Sequence, residues 1–151
     1  MKKIHFYNSK NQKLSGLLFV PKKYPAPSII IAHGFTSSKN NKKEWANFLC
    51  KRGFLIMLFD FHAHGESEGN FKDFTIGQCV DDMRSAVNFI KSLKYSNGKI
   101  GITAHSMGGQ IAHIFASKHN LDAIASISSL FDLDIGELSK DLLEKWKKEG
   151  I

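Results

Sequence analysis

Two short runs, Ile29-Ile30-Ile31-Ala32 and Phe54-Leu55-Ile56-Met57-Leu58-Phe59, carry no polar residue at any position. A strand with one wet face alternates polar and apolar residues. A strand that is apolar throughout must be covered on both faces, which is the condition of a central strand in a parallel sheet flanked by helices. These two runs therefore demand helices on both sides of one sheet. The rest of the chain supplies them.

Residues 2–7 and 13–20 read as two strands joined by the turn Asn8-Ser9-Lys10-Asn11, an antiparallel hairpin at one edge of the sheet. Pro21 to Pro27 is a loop that ends the hairpin. The first apolar strand, residues 28–32, runs into His33-Gly34-Phe35-Thr36-Ser37-Ser38. Lys42 to Arg52 reads as a helix with Trp45, Phe48 and Leu49 on its inner face, closed by Gly53. The second apolar strand, 54–59, runs into Asp60-Phe61-His62-Ala63-His64-Gly65-Glu66-Ser67-Glu68-Gly69. Thr75 followed by Gln78 forms a capping box. The helix it opens carries Ile76, Val80, Met83, Val87 and Ile90 on one stripe. Strand 100–104, bounded by Asn97-Gly98, leads through His105-Ser106-Met107-Gly108-Gly109 into a helix over 110–118. A buried strand over 123–128 follows, and an amphipathic helix over 133–149 closes the chain. The order β-β-β-α-β-α-β-α-β-α specifies an α/β fold: a three-layer sandwich, mostly parallel, with an antiparallel N-terminal hairpin.

Composition narrows the function. The chain has 151 residues and a net charge of +7, but only two of its basic residues, Arg52 and Arg84, are arginines. The lysines are spread in pairs without an aromatic-basic repeat, so a solvated surface is expected and no nucleic-acid partner. No apolar run is long enough for a membrane span and no secretory leader is apparent. Cys50 and Cys79 read as buried free thiols on helices, which fits a cytoplasmic protein. His62 and His64 read as hydrogen-bonding loop residues, and no metal or cofactor is expected.

In such a sheet the loops after the parallel strands meet at one rim, where ligands bind. Those loops are 33–38, 60–70, 105–108 and 128–134. Ser106 stands where the backbone must turn sharply from strand to helix, between the small residues Ala104 and Gly108. A nucleophile elbow has this form, and the following helix points its free N–H groups at any anion that develops there. Equally, small residues at a strand–helix turn can surround an incidental serine.

Three segments together resemble the α/β-hydrolase superfamily, in particular its serine esterase, monoglyceride-lipase-like and serine aminopeptidase-like members. His33-Gly34-Phe35 is similar to the family's His-Gly loop. Asp60 to Gly69 resembles its Asp-x-x-Gly-x-Gly-x-Ser-x-Gly loop, with Ala63 in place of the first glycine. Ala104 to Gly109 resembles its Gly-His-Ser-Met-Gly-Gly elbow. The resemblance implies that Ser106 is the nucleophile, that the backbone N–H groups of Phe35 and Met107 form an oxyanion hole, and that His33, Gly34 and His105 line the substrate site. It also implies a carboxylic ester or related acyl substrate.

The same resemblance requires an acid and then a histidine after the serine. After Ser106 the only histidines are His113 and His119. His113 lies about two helical turns on, roughly 10 Å along the axis, beyond hydrogen-bond reach of the hydroxyl. Asp132 and Asp134 are conceivable acids with no histidine downstream to orient. The expectation is thus one incomplete α/β-hydrolase domain over 1–151, with residues 133–151 forming a terminal helix where a cap or lid would start. Three accounts remain open: a truncated chain lacking the triad Asp and His, a non-catalytic ligand-binding domain, or a site completed by a second chain. A sheet edge left bare by missing strands would favour self-association.

Overall fold

The computed structural model describes residues 1–129, and the sequence-derived helix over 133–149 lies outside them, as do Asp132 and Asp134. Six strands form one sheet: β1 (Lys2–Tyr7), β2 (Lys13–Phe19), β3 (Ala26–Ala32), β4 (Leu55–Phe59), β5 (Ser96–His105) and β6 (Ala123–Ile127). Their spatial order is β1-β2-β4-β3-β5-β6. β3, β4, β5 and β6 run parallel, while β1 and β2 pair antiparallel and β2 joins the sheet antiparallel to β4. Helices α1 (Lys43–Lys51), α2 (Ile76–Ser92) and α3 (Met107–Ala116) fill the connections.

The two apolar strands serve both faces, as their pattern requires. Ile30, Ala32, Leu55, Met57 and Phe59 enter the larger core with Met83, Ala86, Val87 and Ile90 of α2 and Ile111, Ala112 and Phe115 of α3. The residues between them, Ile31, Ile56 and Leu58, enter a smaller core on the other face, with Leu17, Phe19 and Ala46 of α1. Each layer exists because a strand residue with no polar alternative needs cover.

Several local expectations shift. Trp45 and Phe48 do not face inward; they are 46% and 42% exposed, stacked on each other with the Arg52 guanidinium over Phe48. The inner face of α1 is held by Ala46 and Leu49, because the small side chain of Ala46 lets the helix approach the sheet. Asn97-Gly98 does not end β5. It lies inside the strand, where the register between β3 and β5 slips and Gly98 takes a positive φ of 90°. α3 begins at Met107 rather than near Gly108 or Gln110. β6 is not buried: Ala123, Ala125 and Ile127 are exposed, as on an edge strand with one neighbour among the described residues. Thr75 caps α2 by accepting from the Gln78 N–H, but the Gln78 amide turns to Asp81 and Asp82 instead of closing the box. Cys79 is buried, as expected, and Cys50 only partly so.

The contrast between the buried strands and the exposed face of α1 is measurable. Met57→Ala empties a fully buried site and is expected to lower unfolding free energy by about 2–5 kcal/mol. Trp45→Ala removes one half-exposed ring stack and is expected to lower it by less than about 1.5 kcal/mol. Urea denaturation of the two variants separates these outcomes.

Candidate active site

The rim at the C-terminal ends of β3, β4 and β5 is built on one buried carboxylate. Asp60 closes the apolar strand β4 and is fully buried. Its Oδ1 accepts from the backbone N–H of Lys39, 2.6 Å away, and its Oδ2 from the Lys39 ammonium and the Glu66 N–H. The Asp60 carbonyl accepts from the Ser67 hydroxyl, which in turn accepts from the Ser15 N–H of β2. Lys39, itself 1% exposed, also reaches Glu66 at 3.2 Å. That contact, more than any other, holds the half-exposed Glu66 carboxyl below its ordinary pKa, with help from the Ser15 hydroxyl. Gly65 has φ +54°, and a Cβ there would strike the Asp60 carboxylate. The loop after β3 and the loop after β4 are thus tied through one charge pair.

His33 forms the second tie. It is 1% exposed, with both ring nitrogens engaged. Its Nε2 accepts from the Phe61 N–H at 3.1 Å, so its Nδ1 carries the proton and donates to the Gly34 carbonyl at 2.7 Å. Burial dominates its titration and drives the pKa down to about 4. A neutral imidazole is the form this position holds.

Ser106 sits between β5 and α3 at φ 51° and ψ −123°, a region L-residues rarely occupy and that stores roughly 1–3 kcal/mol. Neighbouring contacts impose it. The Ser106 N–H donates to the Ile127 carbonyl of β6, and its carbonyl accepts from the N–H groups of Gly109 and Gln110. A Cβ on Gly108 would stand 2.5 Å from the His33 carbonyl oxygen and 2.9 Å from that of Ala32, so only glycine lets α3 pass this close to the end of β3. Ser106 opens into a cleft of about 240 Å³ with Gly34, Phe35, Ser37, Asn41, Lys42 and His105. Among the described residues no side chain hydrogen-bonds its hydroxyl, and neither the Phe35 nor the Met107 N–H has a partner.

The structure thus brings Gly34, Phe35, His105 and Ser106 to one cleft, places Met107 at the first position of the helix behind it, and sets His33 beneath as a buried strut. His113 is turned away: its Nε2 pairs with the Ser126 hydroxyl of β6 at 2.9 Å. His119 stacks on Phe115. Sequence reasoning passed over Lys39, which carries no signal in a polar loop, and the structural weight of Asp60, which did carry one: an acid as the first residue after an apolar strand. It also passed over a second buried knot in which Asp82 accepts from Asn8, the His62 N–H and the His62 ring. His62, Cys79 and Asp82 bring ligand-type atoms within 4.8 Å of one another, but the carboxylate is already saturated by these donors, and burial pushes the Cys79 thiol far up in pKa. The cluster reads as a packing device joining β1, the loop after β4 and α2.

Two outcomes follow. Lys39→Met strands a buried carboxylate and is expected to lower unfolding free energy by about 3–5 kcal/mol; Asp60→Ala, which also orphans two N–H groups, is expected to lower it more, both read by denaturant midpoint. Because the folded pKa of His33 lies near 4 and its unfolded value near 6.5, the unfolded chain binds the extra proton between them. Stability is therefore whole above about pH 6.5 and falls as pH drops towards 4, by about 3 kcal/mol from this residue. A His33→Gln variant is expected to show a flatter melting temperature over that window.

Comparison with known proteins agrees with this architecture. A family model described as serine aminopeptidase, S33, matches residues 23–149. The chain is 26% identical over 118 residues to carboxymethylenebutenolidase of Pseudomonas putida, covering 68% of this chain and 50% of that protein. It is 28% identical over 117 residues to monoglyceride lipase of Rattus norvegicus, covering 76% of this chain and 38% of that one. The solved Pyrococcus furiosus esterase Pf2001 superposes with a TM-score of 0.78 at 28% identity, covering 88% of this chain and 52% of the esterase. The chain spans about half or less of the length of these relatives.

Proposed function

Because this chain belongs to the serine aminopeptidase S33 family of α/β hydrolases, we propose that it is the nucleophile-bearing part of a serine hydrolase that cleaves carboxylic esters or related acyl compounds. Ser106 attacks the acyl carbon and forms an acyl-enzyme. The N–H groups of Phe35 and Met107 receive the developing oxyanion, each worth roughly 3 kcal/mol in the transition state. His33, Gly34 and His105 shape the floor and wall of the substrate site. The strained backbone of Ser106, held at the mouth of a cleft by the tight passage at Gly108, carries this reading. A serine in an ordinary turn has no need of either. The esterase and lipase relatives support the same class of substrate.

No described residue is assigned as the base. His113 is tied to Ser126, and His33 is neutral with both nitrogens engaged. The reading therefore assigns the nucleophile and oxyanion donors to this chain and the Asp and His relay to protein outside residues 1–129. Without that relay the serine retains binding and oxyanion stabilisation but loses general-base activation.

A fluorophosphonate probe, which reacts with the serine itself, tests this. Labelling of Ser106 is expected, slow in the 151-residue chain and absent in Ser106→Ala, with melting curves confirming that both are folded. Equal labelling of the two proteins, or none of either at high probe concentration, overturns the nucleophile assignment and leaves a ligand-binding domain as the alternative.

A further inference from the structure

The wall of the Ser106 cleft has a charge that the ester chemistry alone does not require. On one side stands Phe35, whose ring packs against Phe71 and Phe74 with centroids 5.5 Å away in each case. The same loop after β3 and the short 3-10 helix that follows it contribute Ser37, Asn41 and Lys42. Asn41 is fixed by donating its amide to the Ser37 hydroxyl at 3.0 Å. Lys42 is partly buried in this wall, yet its ammonium forms no ion pair or hydrogen bond with any described residue. Asp60 and Glu66 are both bound to Lys39, and no described carboxylate, Glu44 included, forms an ion pair with Lys42. No acidic side chain lines the cleft among the described residues.

A partly buried lysine with no counter-ion among the described residues favours an anion brought by a ligand. The cleft has a volume of about 240 Å³. That suits a short acyl chain, and the net charge of +7 draws anions towards the surface. We propose that Lys42 is a specificity-determining residue and that the cleft takes small esters bearing a carboxylate on the acyl side, such as monoesters of short dicarboxylic acids. The ester carbonyl lies at Ser106, the methylene stem along Phe35, and the free carboxylate against Lys42 beside Asn41 and Ser37. This rests on the hydrolase reading for the place of the ester carbonyl, whereas the charge preference is a property of binding alone.

The test is binding, read by ligand titration of the 151-residue chain followed by NMR, with monomethyl succinate against its neutral counterpart dimethyl succinate. The wild type is expected to bind the monoester on the order of tenfold more tightly. Lys42→Gln is expected to bring the two affinities together, and Lys42→Arg to keep the preference. Lys99→Gln, an equal loss of charge at an exposed site on β5, is expected to leave it unchanged. Equal affinities in the wild type, no binding of either ester, or an equal effect of Lys42→Gln and Lys99→Gln overturns the proposal. The two readings separate cleanly: labelling of Ser106 without charge preference rejects the role of Lys42 alone, and a Lys42-dependent preference without labelling rejects the nucleophile alone.

Discussion

The Lys39–Asp60 pair is the interaction on which the rim of the cleft depends. A buried ion pair is a poor source of net stability, because desolvating two charges offsets most of their attraction. Its value here is geometric. Asp60 is tightly held: it directly follows β4, and its carboxylate is filled by two backbone donors and an ammonium. Lys39 belongs to the loop that follows β3. The pair therefore fixes the distance between two loops that share no backbone ladder beyond the strand ends. Every residue of the cleft on the β3 side, from Gly34 to Lys42, lies on the segment anchored at Lys39. A hydrophobic replacement could match the packing but would leave the Lys39 and Glu66 N–H groups without an acceptor.

The apolar runs made the fold legible. With no polar position in 29–32 or 54–59, neither strand can be an edge, and both-face burial forces the three layers. The motif order then placed Gly34, Phe35 and Ser106 on the same rim, and the structure has them in one cleft. Errors arose where one residue's environment depends on distant partners. Trp45 and Phe48 follow a helical period that fits an inner face, but close approach of α1 to the sheet selects Ala46 for that place. Asn97-Gly98 has the chemistry of a turn, which a parallel strand can absorb as a bulge.

The site itself was half legible. Ser106 and its glycines stand close together in sequence because a strand–turn–helix is a local motif. The buried struts beneath it are not local. Lys39 meets Asp60 across 21 residues, His33 meets Phe61 across 28, and Asn8 meets Asp82 across 74. No spacing rule connects such pairs, and only the strand order brings them together.

That strand order also governs when the site can exist. The cleft hangs from β3 and β5, and its anchor from β4, three adjacent strands of which β3 is the middle one. β3 pairs with β5 across some seventy residues, Ala26 with Ser96 and Ala32 with Ala104. Contacts of such sequence separation close large loops before they return any energy, so no one of them is stable without the others. The cleft is thus a product of the assembled sheet rather than of any one local segment. A nascent chain carries the serine, the glycines and the charged struts from the moment each is made, yet cannot present a reactive or ligand-binding surface until the middle strand is enclosed on both sides.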